Sequence, residues 1–299
     1  YSTIKGFNIK SLASDPVTSI VAGGTWASGN TLNTAKQRGM CAGTQTAAIA
    51  AGGYQTEATV ETYDGTSWAE TGNLLLGRDY GGNNWGTTTA ALFVSGGSTP
   101  WPTTVTNVET WDGTSWTEGN NILIARGRAG GSQSGTTTAM LFFGGGIPSA
   151  TDITEIWNGT SWTETADLTT PRYFLAGVGT STAALAIGGD PALDITEIWD
   201  GTSWTEVADL NTGRGQVAGA GSTTAGLVFG GLPAGTVKTE KWDGTSWTEV
   251  GDLALARWES AGIGTSAVAL SAAGNPTPSP NSCEEWNDPV YTIKTVTVS

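Results

Sequence analysis

Histidine is absent from this chain of 299 residues. His is the commonest general base near neutral pH and a frequent ligand of zinc, copper and iron, so its absence excludes histidine-based catalytic triads and nearly all sites for those metals. We therefore expect no metal, no cofactor and no catalytic residue set of that kind. Cysteine is also scarce, because Cys41 and Cys283 are the two thiols of the chain. We expect both to be free and buried.

Charged residues and long apolar runs are few. Asp, Glu, Lys and Arg make up 13% of the chain, with a net charge of −14. No apolar run approaches the roughly 18 residues that cross a bilayer, so no membrane span is predicted. An acidic surface repels phosphate backbones, so we expect no nucleic-acid partner. The chain begins with Tyr1 and has Met only at positions 40 and 140, which indicates a processed chain or a fragment.

A six-residue motif recurs six times, at intervals of 42 to 48 residues. It reads Tyr-Asp-Gly-Thr-Ser-Trp in the first copy. The copies begin at Tyr63, Trp111, Trp157, Trp199, Trp242 and, in a shortened form, Trp286. An apolar run ending in a Gly pair, or in Ala273-Gly274 in the last copy, precedes each motif. Such a period is typical of repeat architectures.

Each unit divides into four short strands. A strand of small residues and an apolar strand precede the Gly pair, and the six-residue motif forms a hairpin about an Asp-Gly turn. Small residues suit strands that converge on an axis, and Trp and Thr suit the wider outer half. The sequence therefore predicts an all-β fold, a six-bladed β-propeller of four-stranded blades.

The last unit lacks an outer strand, and the N-terminus supplies one. Residues 25–32 match the Ser-Trp-Thr-Glu segments of other units, so we expect them to complete the sixth blade and to remove an open edge. The predicted organisation is an N-terminal extension over 1–24, a propeller over 25–288 and a C-terminal strand or extension over 289–299.

The Gly pair, followed by an aromatic residue and then a Trp, resembles the kelch repeat, the blade type of the galactose-oxidase central domain. The resemblance covers residues 25–288 and implies a binding scaffold. It does not imply the copper activity, which needs His ligands. The interval between the two aromatic positions is shorter than is usual for kelch repeats, which implies a tighter hairpin. The units are also similar to kelch-type proteins predicted in marine tailed phages.

Two charges recur in every unit. One is a basic residue ahead of the first strand, and the other is a Glu two residues before the aromatic residue that begins each motif. The basic residues are Lys36, Arg78, Arg126, Arg172, Arg214 and Arg257, and the acidic ones are Glu61, Glu109, Glu155, Glu197, Glu240 and Glu284. They form either an anion-binding ring at the channel mouth or structural pairs inside the blades. We favour structural pairs, because a ligand has little reason to use six blades alike.

Candidate ligand-binding residues lie where the units differ. The loops after the Gly pairs vary in every unit and are expected on one face, together with the segments that enter each first strand. Trp101, between two prolines, is the candidate aromatic anchor. Five further candidates are expected near the channel mouth, namely Arg38, Tyr80, Arg128, Tyr173 and Trp258. Trp85 lies outside the repeated positions too, in a predicted hairpin loop of the opposite face.

These observations favour a non-enzymatic structural and recognition propeller in a phage virion or appendage, or otherwise extracellular. Its expected partner is a host-surface glycan or protein, with other virion or surface proteins attached through the termini. One alternative is a propeller glycoside hydrolase or lyase that uses Asp and Glu in the channel. Another is an exported bacterial adhesin of the same fold.

Overall fold

The fold is an all-β propeller of six four-stranded antiparallel blades, as the repeats predict. A computed structural model describes residues 23–54, 57–81, 85–98, 103–134, 136–146, 148–233, 236–275 and 281–288, together with the backbone of 3–4 and 7–8. These residues form strands and turns, and none of them lies in a helix that could cross a membrane. The innermost strands of neighbouring blades pack side by side, including the sixth against the first.

The strands follow chain order from the axis to the rim in blades one to five. Blade one consists of β4 (Met40–Thr44), β5 (Ala47–Ala51), β6 (Val60–Tyr63) and β7 (Trp68–Glu70). Blade two consists of β8 (Trp85–Thr87), β9 (Ala90–Ser98), β10 (Thr103–Trp111) and β11 (Trp116–Glu118). Blade three consists of β12 (Gly130–Gly131), β13 (Met140–Phe143), β14 (Thr154–Trp157) and β15 (Trp162–Glu164).

Blades four to six follow the same plan. Blade four consists of β16 (Ala176–Thr180), β17 (Ala183–Ile187), β18 (Thr196–Trp199) and β19 (Trp204–Glu206). Blade five consists of β20 (Ala218–Gly221), β21 (Gly226–Phe229), β22 (Thr239–Trp242) and β23 (Trp247–Glu249). Blade six consists of β24 (Ala261–Gly264), β25 (Val268–Ala272), β26 (Cys283–Asn287) and the N-terminal β3 (Thr25–Gly29).

The N-terminal strand closes the ring. β3 pairs with β26, and Trp26 lies opposite Trp286 in that register. The predicted closure by the segment that begins at Thr25 is therefore confirmed. A separate two-stranded ladder pairs β1 (Thr3–Ile4) with β2 (Phe7–Asn8). The prediction for Trp85 was wrong, because the structure places Trp85–Thr87 in the innermost strand of blade two and not in a loop.

Apolar side chains from neighbouring blades form the core between them. Phe143 of blade three packs against Trp204 of blade four, with ring centroids 4.8 Å apart, and Trp204 Nε1 donates to Thr154 Oγ1 at 3.1 Å. Trp199 donates to the Ser181 carbonyl within its own blade at 3.1 Å. The two indole N–H groups of this hairpin therefore have different tasks, since that of Trp204 bonds to the preceding blade and that of Trp199 bonds within its own sheet.

The Gly pairs connect one blade to the next. Gly189 donates its backbone N–H to the carbonyl of Arg214 at 3.1 Å. Gly188 has φ +63°, and a Cβ there would come within 2.5 Å of that same carbonyl oxygen. A side chain at this position would collide with the next blade, which explains why the sequence keeps Gly where two backbones approach so closely.

Candidate functional site

The recurring charges lie inside the blades. All six basic side chains and five of the six recurring glutamates are at most 1% exposed, and Glu284 is 3% exposed. Five Arg–Glu pairs each join the segment that enters a blade to the third strand of that blade: Arg78–Glu109, Arg126–Glu155, Arg172–Glu197, Arg214–Glu240 and Arg257–Glu284. Burial at this level closes these side chains to a ligand from solvent, so the geometry supports the structural interpretation and not the anion-binding ring.

Blade one departs from this pattern. Lys36 Nζ donates to the carbonyl and the hydroxyl of Thr59, at 2.9 and 2.7 Å. Burial lowers the pKa of Lys36, although the charge of Glu61 opposes the shift. Glu61 itself accepts backbone N–H groups of Asn33 and Thr34, at 2.7 and 2.9 Å.

Two residues after each basic residue, the backbone adopts a left-handed conformation. All six residues at this position have φ between 51° and 61°: Arg38, Tyr80, Arg128, Phe174, Gln216 and Glu259. Five of these residues donate their N–H to the carbonyl of the preceding one, at 2.7 to 3.2 Å. We call these six residues the inner ring. A positive φ is unfavourable for residues other than Gly, so the backbone is strained at six equivalent positions of the inner ring.

The inner ring surrounds a cavity at one mouth of the channel. All six of its side chains line this cavity, which measures about 70 Å³ and has room for several water molecules. We call this cavity the cup. Its deeper wall includes Met40, Cys41 and Gly262.

Residues of blade three cross the channel below the cup. The innermost strand of that blade is short, and Gln133 Nε2 donates to the carbonyl of Gly262 in blade six at 2.8 Å. Ser134 contacts two further blades, through its N–H to Gly179 at 2.6 Å and its hydroxyl to Gly221 at 3.3 Å. These contacts join blade three to blades four, five and six across the channel.

One half of the cup is a hydrogen-bonded and charged network. Tyr80 donates its phenol O–H to Glu259 Oε1 at 2.5 Å, and Arg38 Nε lies 3.2 Å from Glu259 Oε2. The Arg38 guanidinium lies 4.5 Å from the ring centre of Tyr80. Burial opposes the charge on Arg38, but the carboxylates of Glu259 and Asp79 more than offset this and raise the pKa of Arg38. Burial and the bond to Glu259 raise the pKa of Tyr80, which keeps the phenol protonated.

The neighbouring part of the cup is a stack of cations and aromatic rings. The Arg128 guanidinium lies 4.8 Å from the ring centre of Tyr80 and 4.6 Å from that of Phe174. Tyr80 and Phe174 also meet edge to face at 5.2 Å. Tyr173 lies behind them, 5.6 Å from Arg128. Contacts of this kind hold each guanidinium in one orientation.

Two carboxyl groups lie beside the cup and have raised pKa values. Burial raises the pKa of Asp79 to about 6, although the Arg38 guanidinium opposes the shift. Asp79 Oδ1 is buried, and it has no hydrogen-bond partner among the described residues. Burial also raises the pKa of Asp190, whose Oδ2 lies 3.5 Å from Gln216 Nε2.

The structure brings together three of the six candidates from the sequence. Arg38, Tyr80 and Arg128 line the cup, and Tyr173 packs against it. Trp258 is half-buried, does not line the cup, and accepts the N–H of Asn275 with its backbone carbonyl. Trp101 lies outside the described residues.

Sequence reasoning missed the other half of the inner ring. Phe174, Gln216 and Glu259 occupy the same position relative to the basic residue as the three candidates that it found. Aligning the six units on that basic residue, and taking the whole column two residues later, would have found them.

A second concavity lies between blades one and two. It measures about 330 Å³ and its lining includes Tyr63, Asp64, Ala69 and Trp111. The Tyr63 ring itself packs on the other side of blade one, with residues of blade six, and its hydroxyl donates to Glu285 Oε1 at 3.0 Å. We call this concavity the side groove. Neither site contains a metal-binding group of three or more Asp, Glu or Cys among the described residues.

Comparisons with known proteins give the fold and no family. No protein-family model matches the chain, and no curated protein matches its sequence. Among solved structures, that of YjhT is similar, with a TM-score of 0.70 over 86% of this chain and 95% of that chain. The sequence identity is 11%, so this similarity shows a shared propeller fold alone.

Proposed function

We propose that this protein is a non-enzymatic recognition propeller that binds a glycan in the cup. The inner ring carries the proposal, because it combines aromatic faces with fixed donors and acceptors at one open recess. Sugars present apolar C–H faces and many hydroxyl groups, so they suit sites of this composition. Phe174 offers the ring, and Arg38, Gln216 and Glu259 offer the polar groups.

The contrast between scaffold and ring supports a binding role. The charges buried in the blades repeat almost unchanged, whereas the inner ring has five residue types at six equivalent positions. Residues that differ on a repeated frame are typical of recognition surfaces. In keeping with the resemblance to phage kelch-type proteins, we propose that the protein acts on a virion or outside a cell, where it meets a host-surface glycan.

The geometry favours binding over glycoside hydrolysis. A hydrolase needs two carboxyl groups that reach the scissile bond, one as acid and one as base or nucleophile. Glu259 lines the cup but is engaged by Arg38 and Tyr80. Asp79 has a raised pKa suited to an acid, yet its side chain is 4% exposed and does not line the cavity.

The first experiment is a saccharide array probed with the labelled full chain, with each bound sugar then assayed for cleavage products. We expect binding without cleavage. Phe174→Ala should weaken binding about tenfold, the usual scale for one stacked aromatic ring. Release of sugar fragments that Glu259→Gln abolishes would overturn the non-enzymatic assignment.

A matched variant tests the location of the site. Ala69→Trp places a large side chain in the lining of the side groove and leaves the lining of the cup unchanged. We expect it to bind like the parent protein. Loss of binding in Ala69→Trp, with Phe174→Ala unaffected, would move the site to the side groove. Binding to host-surface proteins but to no saccharide on the array would contradict the proposal that the ligand is a glycan.

A further inference from the structure

The cations of the described residues are distributed unevenly. Six lie buried inside the blades, and two more, Lys238 and Lys241, pair with Glu249 and Asp288 beside the outer strands of blade five. The remaining two in the described ranges are Arg38 and Arg128, and both line the cup. In a chain with a net charge of −14, the exposed positive charge near the axis is therefore concentrated at one mouth of the channel.

Within the cup, the Arg38 guanidinium is more accessible than the two carboxylates beside it. The side chain of Arg38 is 26% exposed, against 7% for Glu259 and 4% for Asp79. Glu259 is already engaged by Tyr80, so a ligand entering from solvent meets the Arg38 guanidinium before either carboxylate.

The guanidinium groups are also fixed in position. Arg38 and Arg128 lie on the two sides of the Tyr80 ring, 4.5 and 4.8 Å from its centre. A planar guanidinium held by stacking presents parallel N–H donors, which match the two oxygens of a carboxylate or a sulfate. Because the stacking has already ordered these side chains, little conformational entropy is lost when an anion binds.

We propose that the cup selects sugars that carry an oxyanion, so that its ligand is an acidic glycan with a carboxylate or a sulfate ester. This inference rests on the glycan-binding function proposed above. Carboxylate and sulfate offer the same chemistry to the two guanidinium groups, and the experiment separates them.

The test uses an array with matched neutral, uronic and sulfated forms of the same saccharides, followed by calorimetry on the best acidic ligand and its neutral counterpart. We expect the acidic form to bind about tenfold more tightly or better, and the gain to shrink as salt is raised. The uronic and sulfated members of each set identify which oxyanion fits.

Two variants locate the effect. Arg128→Gln should remove the preference for the acidic form, whereas Lys238→Gln, which removes the same charge from an exposed ion pair outside the cup, should keep it. The salt dependence of the unaltered protein needs no variant, so the proposal stays testable if Arg128→Gln does not fold.

The outcomes distinguish this inference from the function on which it rests. Equal binding of neutral and acidic forms would overturn the inference and leave the recognition function intact. A preference for the acidic form that survives both Arg128→Gln and high salt would place the acidic group outside the cup. That result would also overturn the inference. Binding to no saccharide at all would overturn both.

Discussion

Trp26 and Trp286 lie opposite each other on neighbouring strands, with ring centroids 5.5 Å apart, although they stand near opposite ends of the chain. Trp26 also packs against Phe229 of blade five at 4.7 Å and donates its indole N–H to Thr239 Oγ1 at 2.9 Å. A single side chain therefore connects the N-terminal strand to two blades. The ring is held closed at this point by side-chain packing as well as by backbone hydrogen bonds.

Trp26→Ala should destabilise the whole propeller by about 3–5 kcal/mol, the usual cost of truncating a buried aromatic residue. Removal of residues 1–32 should cost at least as much, because it also exposes the edge of β26. Chemical denaturation monitored by fluorescence measures both. Ser28→Ala, at an exposed position of the same strand, serves as the control and should change little. An unchanged unfolding midpoint for the truncated protein would show that the closure does not contribute.

The buried charge pair of blade four differs in kind from the charges of blade one. Arg172→Met leaves the buried carboxylate of Glu197 without its ion pair, so we expect a loss of about 3–5 kcal/mol. Lys36→Met should cost clearly less, because Lys36 donates to Thr59, and Glu61 keeps the backbone donors of Asn33 and Thr34. Denaturant unfolding of the two variants gives the comparison. Equal losses would show that Glu61 depends on Lys36 as strongly as Glu197 depends on Arg172.

Much of this fold is predictable from the sequence, because the same local motifs recur from blade to blade. The Asp-Gly turn, the Gly pair and the spacing of each Trp place every hairpin, and the incomplete last unit predicts the role of Thr25–Gly29. The cup is less predictable. The left-handed backbone of Gln216 or Glu259 follows from how the chain turns between blades, and neither residue type signals a positive φ. The crossing of the channel by Gln133 and Ser134 depends on contacts with blades four, five and six, so no local pattern contains it.

Asp79 should make stability depend on pH in a direction unusual for an acid. Its pKa in the folded protein, about 6, lies above the ordinary value of 3.8, so the folded state binds the proton more tightly than the unfolded state does. The effect of Asp79 on the free energy of unfolding is therefore most favourable below about pH 4 and declines between about pH 4 and 6. Above that range, the free energy of unfolding is lower by at most about 3 kcal/mol than at low pH. Asp79→Asn should remove this decline, as measured by denaturant unfolding at several pH values.

Asp64 provides the control with the opposite sign. Hydrogen bonds from Thr66 and Ser67 lower the pKa of this exposed carboxylate to about 2. Its contribution is present above the ordinary pKa and is lost as the pH falls toward 2. Asp64→Asn should therefore leave the decline between pH 4 and 6 in place. A pH profile that is the same for Asp79→Asn and the parent protein would contradict the assignment to Asp79.

The two thiols should be inert in the folded protein. Cys41 and Cys283 are free and buried, as predicted from the sequence. Burial raises the pKa of Cys283 to about 11 and raises that of Cys41 further, so almost no thiolate is present at neutral pH. Iodoacetamide at pH 8 should label neither thiol before unfolding and both after it. A linked peptide that contains both residues, found by mass spectrometry without reduction, would refute the prediction.

The inner ring should show a conflict between stability and binding. Gln216 has φ +56°, a conformation that costs residues other than Gly up to a few kcal/mol, and its side chain makes one long contact of 3.5 Å with Asp190. Gln216→Gly should therefore leave stability unchanged or raise it by about 0.5–1 kcal/mol, while it weakens glycan binding through the loss of a polar group in the cup. Gln216→Val, which is β-branched, should instead destabilise the protein by about 1–2 kcal/mol because the strain remains and grows. Unfolding and calorimetry on the same samples test both effects. If Gln216→Gly lowered stability and left binding unchanged, Gln216 would serve the fold. Its strained backbone would then not be retained for the sake of a ligand.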